Sequence, residues 1–285
     1  MTAPGTPGGA ITSAANPRVR GALDLRDRRG RERTGRLLVD GVREVSRALE
    51  AGAVLVEAFV GAEPRGAEAV ALVSRLVAAG VPLVAVAGAA EARLAYGDRR
   101  SEVVAVVAAP PLDLAHLEQA IARTADPLLV VVEDAEKPGN LGAIIRSADG
   151  AGAAGLLAAT GRGPAADPWN PNAVRASVGG VLGTPLAVAP TDEVLAWLRR
   201  LRFRIVAARV EAATDYRRAD LRGRVAIVVG SEARGLGPAW AAGDVVAVRL
   251  PMRGRADSLN VSAAAAVLLY EALRQREADP GAPAP

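Results

Sequence analysis

Three polar loops of the sequence contain the side chains best suited to bind or orient a substrate. The first, EKPGNLGAIIRSADG, places Asn140 and Arg146 around the start of an apolar helix. The second, IVVGSEARGLG, surrounds Glu232 with glycines, which allow a sharp turn or close approach of the backbone to a ligand. The third, LPMRGRADSLNVSAAAAV, places Ser258 and Asn260 before a second apolar helix. Together the loops offer guanidinium, carboxylate, amide and hydroxyl groups, which can hold a polar or anionic substrate.

Arg146 is the hardest of these residues to explain by structure alone. It follows Asn140 by about one and a half helical turns and is flanked by Ile144, Ile145 and Ala148. We therefore expect its guanidinium to be partly buried, and a buried guanidinium requires an anionic or hydrogen-bonding partner. For Asn140 taken alone, capping of the helix N-terminus is the preferred interpretation.

The polar residues of the other two loops also have structural interpretations. Glu232 could be an exposed turn residue or an acid at a helix start. Asp257 or Ser258 could cap the helix that follows them. Ser258, Asn260 and Ser262 could simply satisfy its free backbone groups. The second loop matches neither the dinucleotide fingerprint nor the P-loop pattern, and it lacks the nucleophile elbow of a serine hydrolase.

Short aliphatic runs after residue 128 predict the sheet that would position these loops. The runs are LLVVVED, GLLAAT, PLAVA, FRIVAARV, RVAIVVG and VVAVRLP. They show little polar alternation and are separated in several places by helical stretches, which is typical of parallel strands covered on both faces by helices. Ligands of such α/β sheets bind beyond the carboxyl ends of the strands, where the three loops lie.

The N-terminal half predicts a separate, smaller α/β unit. From 18 to 50 the pattern indicates two helices around a short strand, LLVDG, and up to about residue 108 it indicates strand, helix, strand and strand. Residues 1–15 and 277–285 are rich in Pro, Gly and Ala and are predicted to be disordered tails. The segment 109–126 is interpreted as a linker with an embedded amphipathic helix, and its lone His116 as an ordinary surface residue.

Basic charge is concentrated between residues 18 and 36. This stretch holds eight arginines against three acids, an excess of five, while the net charge of the whole chain is only +4. A phosphate-binding arm and a solvated helix face neutralised by its own acids are equally good interpretations. The candidate RNA-binding residues are Arg18, Arg28, Arg29, Arg31, Arg33 and Arg36.

Composition limits the class of protein. With 51% hydrophobic residues the chain can form a real core, and without cysteine it has neither disulfides nor thiolate chemistry. It shows no signal peptide and no apolar run of about 18 residues, so we expect a soluble cytoplasmic protein that binds no membrane. No metal site is expected.

Taken together, the three loops resemble the three signature motifs of the SpoU (TrmH-like) family of RNA ribose 2′-O-methyltransferases in order and spacing. The resemblance is strong over about 126–276, and residues 18–107 more loosely resemble the substrate-binding domain of that family. The matching residues are Gly139, Asn140, Gly142, Ala143, Ile144, Ile145 and Arg146 in the first motif, Gly230, Glu232, Gly235 and Leu236 in the second, and Pro251, Met252, Ser258, Leu259, Asn260 and Ser262 in the third.

This resemblance implies a fold and a domain organisation that periodicity alone does not give. It implies a SPOUT-type α/β fold with a parallel sheet and a C-terminal trefoil knot, acting as a homodimer whose active site forms across the two subunits. The implied domains are an RNA substrate-binding domain at 16–108 and a catalytic domain at 127–276.

The resemblance also implies the chemistry and the residues that perform it. S-adenosylmethionine is the expected cofactor, RNA the expected partner, and Gly230, Leu250, Met252 and Leu259 would line the adenosine pocket. Arg146 would orient the acceptor ribose and phosphate, because a guanidinium with a pKa above about 12 is a poor base. The residues expected to hold Arg146 and the acceptor are Asn140, Glu232, Ser258 and Asn260.

The target RNA remains open at the level of sequence. The two-domain layout favours 23S rRNA over tRNA. The alternatives are a tRNA 2′-O-methyltransferase, a non-catalytic RNA-binding protein with a SPOUT-like core, and an enzyme acting on a small molecule. The retained polar residues argue against the second, and the basic arm and separate N-terminal domain argue against the third.

Overall fold

The computed structural model of the protein describes residues 9–62, 66–95, 101–163 and 167–278. The remaining parts of the predicted tails, 1–8 and 279–285, lie outside the described residues. None of the helices within the described ranges is long and apolar enough to cross a membrane.

Helices and strands alternate along most of the chain. Up to residue 110 they are α1 (Pro17–Asp24), α2 (Arg28–Thr34), β1 (Arg36–Asp40), α3 (Val42–Glu50), β2 (Leu55–Gly61), α4 (Ala67–Ala78), β3 (Leu83–Val86), α5 (Gly88–Leu94) and β4 (Val103–Ala108). After residue 110 they are α6 (Leu114–Ile121), β5 (Leu128–Glu133), α7 (Pro138–Gly150), β6 (Gly155–Thr160), α8 (Pro171–Ala176), β7 (Leu186–Pro190), α9 (Thr191–Arg200), β8 (Arg204–Ala208), β9 (Thr214–Asp215), β10 (Val225–Val229), β11 (Val245–Arg249) and α10 (Val261–Glu277).

The chain divides into two compact units. Unit 1 comprises residues 1–110 together with 169–183, and unit 2 comprises 111–168 together with 184–285. The segment 169–183 falls within the range expected for the catalytic domain, but it packs in unit 1. Arg47 donates to the carbonyl of Val178 at 3.1 Å, and the Gly179 backbone lies against the main chain of Glu44.

Unit 1 is built on a four-stranded sheet in the order β1-β4-β2-β3. Strand β4 runs antiparallel to both β1 and β2, and β3 runs parallel to β2. Apolar residues of α1 and α5, such as Val19 and Leu94, pack with Phe59 of β2 to form the core on one face.

Residues 9–15 were expected to belong to a disordered tail, and the structure differs. Ile11 extends the sheet at β3, since its amide donates to the carbonyl of Ala85 at 2.9 Å and its carbonyl accepts from the amide of Ala87 at 3.0 Å. A backbone paired in this way is ordered even where the side chains are small.

Unit 2 is built on a seven-stranded, fully parallel sheet in the order β7-β6-β5-β10-β8-β11-β9. The predicted α/β fold class with a parallel sheet is therefore confirmed. Every residue of the central strands β5 and β10 is buried, which explains their continuous aliphatic sequence. Leu117 and Ile121 of α6, in the segment interpreted as a linker, are buried in the core of this unit.

The six arginines proposed to bind RNA have different environments in unit 1. Arg18 pairs with Glu57 at 2.6 Å, Arg28 with Glu32 at 2.7 Å and Arg33 with Asp24 at 3.5 Å. Arg29 and Arg36 are exposed.

Arg31 does not fit the expectation of an RNA-binding side chain. Only 5% of its surface is exposed, and its Nη1 atom donates to the carbonyls of Leu25 and Arg26 at 2.8 and 2.7 Å. Its guanidinium therefore satisfies carbonyls that follow the C-terminus of α1. The arginine pattern could not reveal this, because the turn between α1 and α2 folds back onto α2.

We predict that Arg31→Met destabilises the protein by about 1–3 kcal/mol, because buried carbonyls lose their donors. Denaturant unfolding measures the change. Arg29→Met, which changes an exposed residue of the same helix, serves as the control and should leave the free energy of unfolding unchanged. Equal stability of the two variants would contradict a structural role for Arg31.

Candidate active site

The sheet of unit 2 brings the three polar loops to one edge. The first loop follows β5, the second follows β10, and these two strands are hydrogen-bonded neighbours. The third follows β11, which is separated from β10 only by β8. Since all these strands are parallel, their carboxyl ends lie on the same side of the sheet.

Glu232 is the centre of a polar cluster formed by all three loops. Its Oε1 atom accepts from the Asn140 side-chain amide at 3.0 Å and also from the amide of Asn260. Its Oε2 atom accepts from the ammonium of Lys137 at 3.0 Å. The Asn260 amide lies 3.4 Å from Oδ1 of Asn140 and closes the network. The carboxylate of Glu232 thus joins the three loops, which are far apart in sequence.

The Lys137 ammonium, with smaller contributions from the Asn140 side-chain amide and the Val261 backbone amide, lowers the pKa of Glu232 below its ordinary value; desolvation opposes the shift. The ion pair is the largest cause. The cluster therefore favours an ionised Glu232, which accepts hydrogen bonds and donates none.

Asn140 is not the cap of its helix, contrary to the structural interpretation. Helix α7 begins at Pro138 with Lys137 in the cap position, so Asn140 lies inside the first turn. Its side chain is thereby free to donate to Glu232.

Asn260 both caps helix α10 and takes part in the polar cluster. It is the N-cap of α10, in place of the expected Asp257 or Ser258, and its Oδ1 atom accepts from the Ser262 amide at 3.0 Å. Its Nδ2 group donates to Glu232 at the same time. Capping α10 therefore fixes the orientation of the amide in the cluster.

A cleft beside the cluster contains every residue expected to bind the cofactor. Gly230, Leu250, Met252 and Leu259 line this open cleft of about 210 Å³. Glu232 and Ser258 line it as well, so the cleft and the polar cluster are continuous. Ser258 is exposed and lies at the cleft, outside the hydrogen-bonded cluster.

Gly230 is the position in the cleft where glycine is required. A Cβ there would lie 2.4 Å from the carbonyl carbon of Gly235, well inside van der Waals contact. The second loop therefore folds tightly on itself and brings its backbone to the cleft wall.

Arg146 lies apart from the cluster, and the expectation that it is partly buried is wrong. Its side chain is exposed and forms no ion pair or hydrogen bond with the residues that the structure describes. Six residues of helix place it about 9 Å along the axis from Asn140 and about 120° around it. Its apolar neighbours Ile144 and Ile145 face the core instead.

Lys137 was not among the residues proposed from the sequence. It is the single lysine of a chain whose other basic side chains are arginines, and that isolation was a usable signal. Its ammonium is a compact charge on a flexible stem, well suited to contact one carboxylate oxygen.

A buried carboxylate behind the second loop was also missed. Glu133, only 1% exposed, accepts from Thr191 Oγ1 at 2.7 Å, Trp240 Nε1 at 2.9 Å and the Gly237 amide at 2.6 Å. The carbonyl of Gly237 accepts from Arg209, which lines the cleft, at 2.9 Å. The end of the second loop is thus held from both sides by charged groups.

No group of three or more His, Cys, Asp or Glu side chains among the described residues is arranged to hold a metal ion.

Two family profiles match successive parts of the chain. The SpoU rRNA methylase family matches residues 127–270, about half of the sequence, and contains all three loops. The MRM3-like substrate binding domain matches residues 16–105.

Similar proteins and structures cover most of the chain. The 23S rRNA (uridine(2479)-2'-O)-methyltransferase of Streptomyces viridochromogenes is 34% identical over 261 residues, which cover 88% of this chain and 87% of that protein. The crystal structure of the SpoU methyltransferase AviRb from the same organism, in complex with AdoMet, has 33% identity and a TM-score of 0.78, covering 92% of this chain and 99% of the other. An AdoMet-bound rRNA methyltransferase from Sinorhizobium meliloti has 29% identity and a TM-score of 0.81, covering 93% and 97%.

We predict that Lys137→Met raises the pKa of Glu232 toward its ordinary value, because it removes the largest cause of the lowered pKa. Glu232 should then become protonated at a higher pH as the solution is acidified. Titration of the Glu232 carboxyl carbon by NMR measures this. Lys137→Arg keeps the positive charge and is the control, and an unchanged midpoint in Lys137→Met would contradict the assigned ion pair.

We predict that Glu133→Gln loosens the second loop, because an amide cannot accept from three donors as the carboxylate does. The expected results are a loss of about 1–3 kcal/mol of stability and weaker binding of S-adenosylmethionine by calorimetry. Glu118→Gln is a matched control, since Glu118 also accepts from an indole, Trp197 Nε1, at 2.9 Å but lies on α6. Unaltered cofactor affinity in Glu133→Gln would show that Glu133 does not position the cleft.

The predicted family is confirmed by the geometry of the loops together with the sequence comparisons. The signature loops meet at one carboxylate, the family profile spans the whole region that contains them, and relatives more than 30% identical cover most of the sequence. This protein belongs to the SpoU rRNA methylase family.

Proposed function

We propose that the protein transfers a methyl group from S-adenosylmethionine to a ribose 2′-hydroxyl of 23S rRNA. The observation that carries the proposal is the Glu232 cluster, which unites Asn140 and Asn260 beside a continuous cleft. The similar enzyme of Streptomyces viridochromogenes is named for this reaction on 23S rRNA, and it is similar over nearly the whole chain. That extent of similarity favours rRNA over the alternative of tRNA.

The residues of the cleft suit an adenosine-containing cofactor. Leu250, Met252 and Leu259 provide apolar surface for a base, and the tightly folded backbone at Gly230 offers main-chain groups at the cleft wall. S-adenosylmethionine, when bound, supplies an electrophilic methyl group on a sulfonium. The carboxylate of Glu232 at the cleft carries the charge opposite to that sulfonium.

The polar cluster would orient the acceptor. Asn140 and Asn260 are fixed by Glu232 and by the start of two helices, so their remaining hydrogen-bonding groups are preorganised. Ser258 contributes a hydroxyl on the same side of the cleft. Holding a weakly nucleophilic hydroxyl in line with the donor lowers the entropic part of the barrier, which is a large effect in transfer reactions.

Arg146 would act in the cleft of a second subunit. It is exposed and points about 120° away from Asn140 of its own chain. Gly150, one turn further on, lies next to the hydroxyl of Tyr270 in α10. Arg146 thus shares a face with α10, whose exposed residues include Val267, 37% exposed, and Tyr270, 52% exposed.

This face supports a homodimer. Apolar residues on one exposed stripe of α10, at Ala263, Val267 and Tyr270, are typical of a surface covered by a partner. Packed against a second copy, the stripe would carry Arg146 to the partner's acceptor site. The proposal includes the trefoil knot of the family and a cytoplasmic location with the ribosome.

We predict that Arg146→Ala abolishes methyl transfer and leaves S-adenosylmethionine binding nearly intact, because Arg146 lies outside the cleft of its own chain. Transfer of labelled methyl to 23S rRNA from a strain lacking the protein measures the first, and calorimetry the second. Equal loss of both would make Arg146 a structural residue.

Mixed dimers test whether the active site is shared between two subunits. Arg146→Ala and Glu232→Gln should each be inactive, whereas mixing them should restore part of the activity, since one site of each mixed dimer contains both native residues. Activity that stays absent after subunit exchange would contradict a site shared between subunits.

A further inference from the structure

The end of β11 and the loop between β11 and α10 carry positive charge that no described residue neutralises. Arg249, Arg253 and Arg255 are exposed, and none forms an ion pair or hydrogen bond through its side chain with the residues that the structure describes. Asp257 is the single acid between residues 249 and 260. We call these three side chains the loop arginines.

Three other exposed arginines of unit 2 have acidic partners, whereas Arg146 of α7 has none among the described residues. Arg199 contacts Asp244, Arg204 contacts Asp220, and Arg274 contacts Glu271, each at 2.7 Å. These pairs are neutral overall at neutral pH and have part of their hydrogen-bonding capacity occupied. The loop arginines differ from them in keeping whole guanidinium groups available to an external anion.

The loop also lies where a bound substrate must come. Met252, Asp257 and Ser258, which line the cofactor cleft, alternate with the loop arginines along the chain. Asn260, which follows directly, belongs to the Glu232 cluster. An RNA whose acceptor group reaches that cluster would therefore lie beside the segment that carries the three free guanidinium groups.

We propose that the loop arginines bind the RNA phosphate backbone next to the acceptor nucleotide. This rests on the proposed function and adds to it a contact surface within unit 2. Guanidinium groups bind phosphate oxygens in a bidentate manner, and each neutralised phosphate releases counterions. The N-terminal arginines expected to bind RNA are less available, since Arg31 is buried and Arg18, Arg28 and Arg33 are paired.

Salt dependence of binding tests the proposal. The triple variant Arg249→Gln, Arg253→Gln, Arg255→Gln should bind deproteinised 23S rRNA roughly tenfold to a hundredfold more weakly near 0.1 M salt. The slope of the logarithm of affinity against the logarithm of salt concentration should flatten by about 2–3. Affinity for S-adenosylmethionine and the melting temperature should not change, because these exposed side chains form no hydrogen bond or ion pair with the described residues.

A second triple variant serves as the charge-matched control. Arg199→Gln, Arg204→Gln, Arg274→Gln also removes three positive charges from exposed positions of unit 2, but from paired ones. The proposal predicts a nearly native salt slope for this control. If both variants lose the same amount of rRNA affinity and salt slope, the effect comes from net charge alone and the proposal is wrong. A native salt slope in the loop variant would also overturn the proposal.

The assay separates this inference from the proposed function. If the native protein methylates 23S rRNA while the loop variant keeps the native salt slope, only the loop contact is wrong. If the native protein transfers no methyl group to RNA, the proposed function itself fails.

Discussion

The site depends on one carboxylate that joins three distant parts of the chain. Glu232 accepts hydrogen bonds from the amides of Asn140 and Asn260 and pairs with Lys137. A carboxylate has no donor of its own, so its partners must all present donors, and both asparagine side chains are thereby turned in a defined direction. The orientation of both side-chain amides is a consequence of this one charge.

The loop that carries Glu232 is held in place at both of its ends. Glu232 follows β10, and the far end of the same loop is fixed at Gly237 by Glu133 and Arg209. Glu133 is buried, and leaving a buried charge without its hydrogen bonds would cost several kcal/mol. A loop with both ends anchored in this way loses little entropy when a ligand binds, which favours affinity without additional contacts.

Most of the fold of unit 2 could be predicted from the sequence, because buried parallel strands leave an unmistakable aliphatic pattern. The six predicted runs are all strands of one parallel sheet. Predictions from local sequence were wrong where a side chain forms hydrogen bonds that its neighbours in the sequence do not reveal. Asn140 has the residue type of a cap but donates to Glu232, and Arg31 has the pattern of a charged surface but satisfies buried carbonyls. Contacts across 92 residues, such as Asn140 to Glu232, leave no local periodicity.

The placement of Arg146 has a consequence for how the enzyme could be regulated by assembly. Its charge lies on an exposed face of α7 with no acidic partner among the described residues, while the Glu232 cluster of the same chain is complete without it. Under the proposed function, a single chain would bind the cofactor but lack the guanidinium proposed to orient the acceptor. Since the stripe on α10 that shares this face is apolar, the proposed dimer would bury it and complete the site in one step. Methyl transfer would therefore require the assembled dimer, whereas cofactor binding would require only the folded unit 2.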